Sequence, residues 1–276
     1  MDANIVFDYF SPLTSKIILC IGIFISFSAF FYFCFRSGFG VVNLFTSYFF
    51  IFVSSVLFGS LFYYLLFHQD IQMFEPVRSY LFKIYNITFF KDNTVGISNP
   101  AWVNDFGIIF GIIFGCILSA FVLNINLYRL LDCCICPIFI LLSSFRLSDL
   151  FICKNFGVPT DISFGVIFPT IDTLPRHACM IYEFVLLFIL AAVLFYIVRK
   201  LSLIYKDAYD SDGYMFFLGI FLISLIKILF SVIAIQDNLV SNVLFDIFKL
   251  GANQFICLCF LVFSLVFAIY RFPRKQ

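Results

Sequence analysis

Along the chain, apolar runs of membrane-spanning length alternate with short polar interruptions. A helix that crosses a bilayer needs about 20 predominantly apolar residues. The first such run extends from Ile17 to Phe35, stops at Arg36 and is followed by a Ser37–Gly38 turn. The second, Val41 to Phe67, contains no charge and is long enough to tilt. Further spans are expected from Phe106 to Leu127, Cys133 to Phe145, Ala178 to Val198, Tyr214 to Ile235 and Phe255 to Tyr270. Residues 68–105 form the longest polar stretch, and their interleaved aromatics (Tyr80, Phe82, Tyr85, Phe89, Phe90) point to a segment lying at the membrane surface. Residues 146–176 are a second mixed, loop-rich segment. The pattern predicts an all-α integral membrane protein: about seven transmembrane helices, external loops forming a small head region, and one transmembrane domain over 1–276 with no separate soluble domain.

Composition agrees. The chain is 63% hydrophobic and 12% charged, against about 45–50% and about 25% in soluble domains. A net charge of +1 excludes the usual basic footprint for nucleic acid. The N-terminus carries Asp2 and Asp8 and no basic stretch, so the first run reads as a retained span rather than a cleaved signal. Cys20, Cys34, Cys116, Cys257 and Cys259 sit inside apolar runs as small hydrophobes. The tighter Cys133, Cys134 and Cys136 group heads another apolar run and reads as packing in preference to a zinc site. Gly107, Gly111 and Gly115 recur every four residues and mark a helix face that a neighbour approaches closely.

Three candidate site residues stand out as ionisable groups in or beside apolar runs. Such groups cost about 2.5–3.5 kcal/mol each at mid-membrane and default to functional candidates. Lys227 lies within the sixth run, Arg146 closes the fourth, and Glu183 lies one turn into the fifth, after Arg176 and His177. Taken singly they read as snorkelling side chains or internal ion pairs; taken together they predict a cationic pocket for a lipid phosphate.

From Asp132 to Glu183 the sequence resembles the bacterial prolipoprotein diacylglyceryl transferases. In that family an Asp starts a span that ends in Arg-Ile/Leu-Gly-Asn-Phe-x-Asn-Gly-Glu-x-x-Gly. Here Asp132 is followed by Arg146-Leu147-Ser148-Asp149-Leu150-Phe151-Ile152-Cys153-Lys154-Asn155-Phe156-Gly157, then Pro159-Thr160-Asp161 and Phe164-Gly165-Val166-Ile167-Phe168-Pro169. The family's Arg-His-Pro-x-x-Leu-Tyr-Glu block is matched by Arg176-His177-Ala178-Cys179-Met180-Ile181-Tyr182-Glu183. Fainter similarities run through Gly59–Phe67, Gly107–Gly115, Lys227 (where the family has Arg) and Asn253-Gln254. The departures are specific. Phe106 stands where the family has His, Leu61 replaces an Arg, Asp149 an Asn, Ile152 an Asn, Lys154 a Glu and Ser231 a Glu. Paired acid and base replacements predict an Asp149–Lys154 ion pair.

The resemblance implies transfer of a diacylglyceryl group from phosphatidylglycerol to a prolipoprotein cysteine thiol. It implies Arg146 and Lys227 at the leaving phosphate, Asp149 and His177 as the available bases, and Gly157, Arg176, Tyr182 and Glu183 around the substrate. Lys227 lacks the planar fork of an arginine. No cofactor and no metal are implied. The implied partners are phosphatidylglycerol and a prolipoprotein signal segment, met by a monomer in the bacterial cytoplasmic (inner) membrane. Two other readings stand beside this one: a relative that binds lipid or lipoprotein without catalysis, and a channel or transporter. The last calls for paired internal repeats, which the sequence does not show.

Orientation follows from Lys and Arg in short loops. Arg36, Arg129, Arg199, Lys200, Lys206, Arg271, Arg274 and Lys275 fall on one side, packed into very short segments. The C-terminus is therefore expected in the cytoplasm and the N-terminus outside. Reporter fusions after Lys206 and at the C-terminus should report cytoplasm, and fusions within residues 85–95 the exterior. A cytoplasmic signal from residues 85–95 would reverse the orientation.

Overall fold

The computed structural model describes residues 5–6, 12–67, 105–152, 157–162, 165–168, 173–204, 213–231, 233 and 252–271. The expected surface segment at 68–104 lies outside these, as does Lys154. Seven helices are described: α1 (Pro12–Arg36), α2 (Val41–Phe67), α3 (Asp105–Leu123), α4 (Leu127–Phe151), α5 (Cys179–Ile204), α6 (Tyr214–Ser231) and α7 (Ala252–Arg271). The first six are long and apolar enough to cross a membrane, and α7 carries a shorter apolar run, Gln254–Phe267. The chain is thus a multi-pass, helical membrane protein.

The helix ends follow local chemistry. Pro12 opens α1, where its missing N–H would be unpaired in any case. Gly38, at φ +79°, ends the helix in the left-handed conformation. The Phe39 N–H then donates to the Cys34 carbonyl at 3.1 Å, closing the Schellman pattern. The side chain of Asn126 caps α4 by accepting from the N–H groups of Tyr128 (3.0 Å) and Arg129 (3.3 Å).

Helix α4 differs most from the sequence expectation. It runs well beyond 133–145 at both ends, because the charges that looked like boundaries are satisfied by other helices and do not stop it. Near its start, Asp132 is buried and accepts from the backbone N–H of Gly213 (3.1 Å) and Phe216 (2.8 Å). A carboxylate of one helix therefore caps the N-terminus of another, α6, whose first amides have no partner within their own helix. Helix α4 packs on α1, α3, α5 and α6 and forms the centre of the bundle. Cys133, Cys134 and Cys136 are buried there among apolar side chains, with Cys34 and Cys116.

Helices α2 and α3 pack most extensively, and the glycine face explains why. A Cβ added to Gly107 would meet the Gly59 Cα at 2.8 Å, one at Gly111 the Ser55 Cα at 2.5 Å, and one at Gly115 the Ile51 Cα at 2.6 Å. The helices meet backbone to backbone. Ser54 Oγ donates across the gap to the Gly111 carbonyl at 2.7 Å.

At the opposite end from the Ser37–Gly38 turn lies a small addition to the all-α pattern. Strands β1 (Ile5–Val6), β2 (Val166–Ile167) and β3 (Pro175–Arg176) form a three-stranded sheet, β1 parallel and β3 antiparallel to β2. It belongs to a head with its own small core of Leu150, Val166, Phe168, Ala178 and Met180.

Gly111→Val should force α2 and α3 apart and cost about 1–3 kcal/mol of overpacking. Gly40→Ala, where an added Cβ meets nothing within 4 Å, should be neutral. Thermal unfolding in detergent, followed by labelling of the buried thiols, distinguishes the two; equal midpoints would refute the close approach.

Candidate functional site

The residues of this site come from four helices at the head end of the bundle. Arg146 lies near the C-terminus of α4, with Asp149 one turn further on. Glu183 is one turn into α5, Lys227 is near the end of α6, and Asp105 is the first residue of α3. Successive helices of an up-and-down bundle alternate in direction, so these starts and ends fall at one level.

Each donor group of Arg146 serves a different carboxylate. Its Nε donates to Glu183 Oε2 at 2.6 Å, Nη1 to Asp149 Oδ2 at 2.7 Å, and Nη2 to Asp105 Oδ2. Lys227 Nζ donates to two of the same atoms, Glu183 Oε2 at 2.7 Å and Asp105 Oδ2 at 2.9 Å. Arg146, Glu183, Lys227 and Asp105 thus close a ring, and Asp149 hangs from its arginine corner. All five side chains are largely buried, at 10–18% exposure. Such pairing is what holds charges at this depth, because an ion pulled from water is tolerated only where partners replace its hydration.

The ring alters the picture of a cationic pocket. Arg146 and Lys227 do converge, but two cations face three carboxylates. Within the ring itself, Arg146 and Lys227 are balanced by Asp105 and Glu183, two cations against two carboxylates. Arg146 and Lys227 are compensated from within the protein, and an incoming anion has to compete for them.

The sequence-derived residues divide into two groups. Arg146, Lys227, Asp149 and Glu183 belong to the ring and its branch. Gly157, Arg176, His177 and Tyr182 belong to the head beside it. The Gly157 N–H donates to the His177 carbonyl at 2.7 Å, and the His177 N–H donates to the Val158 carbonyl at 3.2 Å. Arg176 Nη1 donates to the Gly157 carbonyl at 3.3 Å. A Cβ on Gly157 would meet His177 Cβ at 2.7 Å, so this crossing is closed to larger residues. The His177 ring lies edge-on to Tyr182 at 6.3 Å, and Tyr182 stacks on Phe230 of α6 at 6.3 Å. His177 therefore lies outside the described ring and orders the head against α6. Of the expected Asp149–Lys154 pair, Lys154 lies outside the described residues, and Asp149 bonds Arg146.

Asp105 is the member that sequence reasoning missed. It abuts the polar stretch and opens an apolar run, so it reads as an ordinary first-turn acid. The next residue, Phe106, is buried and stacks on Phe260 at 6.0 Å. Ser231, at a position where the resemblance has Glu, accepts from Gln254 Nε2 at 3.0 Å and joins α6 to α7.

Comparison with known proteins bears on the family. A stretch of 45 residues is 42% identical to a protein of Chloroherpeton thalassium named phosphatidylglycerol–prolipoprotein diacylglyceryl transferase. That stretch is 16% of this chain, and the chain spans only 17% of the length of this relative. A family model described as prolipoprotein diacylglyceryl transferase matches much further, over residues 16–270. From the first helix to the end of the last, then, this chain belongs to the prolipoprotein diacylglyceryl transferase family.

Proposed function

We propose that this protein transfers a diacylglyceryl group from phosphatidylglycerol to the cysteine thiol of a prolipoprotein. In the reaction the thiol loses its proton and its sulfur forms a C–S bond to the glyceryl carbon. The C–O bond from that carbon to phosphate breaks, and glycerol phosphate leaves. The thiolate is the nucleophile, and charge grows on the departing phosphate, where fixed cations are worth most. The observation that carries the reading is the convergence of Arg146 and Lys227 on the same two carboxylate oxygens, Asp105 Oδ2 and Glu183 Oε2. Two cations that share acceptors are close enough to share a phosphate.

In this reading Arg146 and Lys227 hold the leaving phosphate. Glu183 fixes both cations and aims the guanidinium. Asp149 tethers Arg146 and, with His177, is an acceptor for the thiol proton. Gly157, Arg176 and Tyr182 shape the head that receives the signal segment. A cavity of about 180 Å³ lies between α1, α2, α3 and α4, lined by Phe30, Tyr48, Ile112, Leu141 and Phe145. Apolar cavities near this size accept small hydrocarbons, and part of an acyl chain fits the same chemistry. The protein acts as a single transmembrane unit and a monomer in the bacterial inner membrane, with the C-terminus in the cytoplasm and the ring at the outer leaflet.

The test is thioether formation on a lipobox peptide in phosphatidylglycerol vesicles. Wild type should make product. Arg146→Ala should abolish it and destabilise the fold by about 3–5 kcal/mol, since three carboxylates lose their partner. Arg146→Lys keeps the charge and more of the stability, yet should lose roughly 10²–10³-fold in rate with its forked geometry. His177→Ala should cost less than Arg146→Ala. Folded wild type that yields no product with a suitable peptide would reject transfer and favour a lipid-binding relative without catalysis.

A further inference from the structure

Asp105 holds a particular place in the ring. Its Oδ2 receives both Arg146 Nη2 and Lys227 Nζ, one donor from each cation. A phosphate oxygen, or two oxygens of one phosphate, would ask for the same pair of donors. We propose that Asp105 is a displaceable counter-anion: it occupies the seat of an incoming phosphate monoanion or phosphodiester between Arg146 and Lys227, and binding exchanges carboxylate for phosphate. The inference rests on the reading of these two cations given above and adds what must leave for a substrate to enter.

Charge requires an exchange. The ring already holds two carboxylates against two cations and is balanced. A phosphate added on top would set three anions against the same two cations, at a depth where unpaired charge is costly. One carboxylate has to give way, and three observations select Asp105. It is the most exposed of the five side chains, at 18% against 10–12% for the others. It is the outermost residue of its helix, whereas Glu183 lies one turn inside α5 and Asp149 shares a helix with the arginine it holds. It also has somewhere to go, because a carboxylate at a helix N-terminus is favoured by the unpaired amides and dipole there even after its ion pairs are gone. Glu183 would stay behind, bonded to both Arg146 Nε and Lys227 Nζ, and would hold the two cations in register during the exchange.

The resident carboxylate also acts as a selectivity device. A zwitterionic or neutral headgroup cannot replace the charge of Asp105, whereas an anionic phosphate can. Affinity for the anion is reduced by the fraction of time the seat is filled. If Asp105 fills it about nine-tenths of the time, removing the charge should tighten anion binding about tenfold.

The experiment is calorimetric titration of the full chain in detergent with short-chain phosphatidylglycerol, with glycerol phosphate, and with short-chain diacylglycerol as a phosphate-free lipid. Asp105→Asn should bind the phosphate-bearing ligands about tenfold more tightly than wild type and diacylglycerol no better. Tightening toward phosphatidylglycerol alone identifies a lipid headgroup as the anion, and tightening toward glycerol phosphate alone identifies a free phosphate. Unchanged or weaker binding of both phosphates would overturn the proposal, as would equal tightening toward diacylglycerol. Asp105→Ser carries the same expectation and replaces Asp105→Asn should that variant fail to fold. Transfer activity of the same wild-type preparation is measured alongside. Tightened binding without thioether formation would sink the transferase reading while leaving the displacement intact.

Discussion

A guanidinium placed among membrane-spanning helices needs as many partners as it has faces, and Arg146 obtains three from three positions of the chain. Asp105, Asp149 and Glu183 each take one of its nitrogens. Lys227 then closes the ring from a fourth helix. The start of α3, the end of α4, the start of α5 and the end of α6 are thereby fixed to one point. Because the groups are largely buried, a member lost without a replacement leaves its neighbours under-compensated, and the cost of an unpaired buried charge exceeds the worth of any single pair. The head sits against this point, with Leu150 of α4 and Ala178 and Met180, at the start of α5, in its core.

Much of this arrangement is legible in the sequence, and the parts that are not have physical reasons. Run length gives the helices, since each apolar run must be buried in lipid or in the bundle. The four-residue spacing of Gly107, Gly111 and Gly115 gives the α2–α3 contact. Arg146 and Lys227 stand out because a cation within an apolar run has few explanations. The limits of α4 are hidden, because Asp132 and Arg146 read as helix-ending polarity until their partners on other helices are known. Asp105 is hidden for a related reason: it reads as the end of a polar stretch, while its partners lie 41 and 122 residues away. The strands of the head are two residues each, too short to show a period of two.

The departures from the family pattern become easier to understand around the ring. Lys227 meets its two carboxylates as a point charge, at 2.9 and 2.7 Å, a task that needs no planar fork. Asp149 adds a full charge to Arg146 where an amide would offer a dipole. Phe106 is packed against α7, so no imidazole stands at that position, and the residue before it supplies the polar contact. Family membership and the changed residues are therefore compatible: the cation pair is kept, and its surrounding anions have been redistributed.

At the far end of the bundle, Asp132 raises a question of timing. Its two amide donors, on Gly213 and Phe216, lie 81 and 84 residues later in the chain. Synthesis proceeds from the N-terminus, so α4 reaches the membrane while the helix that will satisfy its carboxylate has not yet been made. Until then Asp132 needs water, and the interface is where water is to be had. Helix α4 is the centre of the finished bundle, and this cap on α6 is completed only when α6 has been made. A chain truncated before residue 213 would lack both of these amide donors.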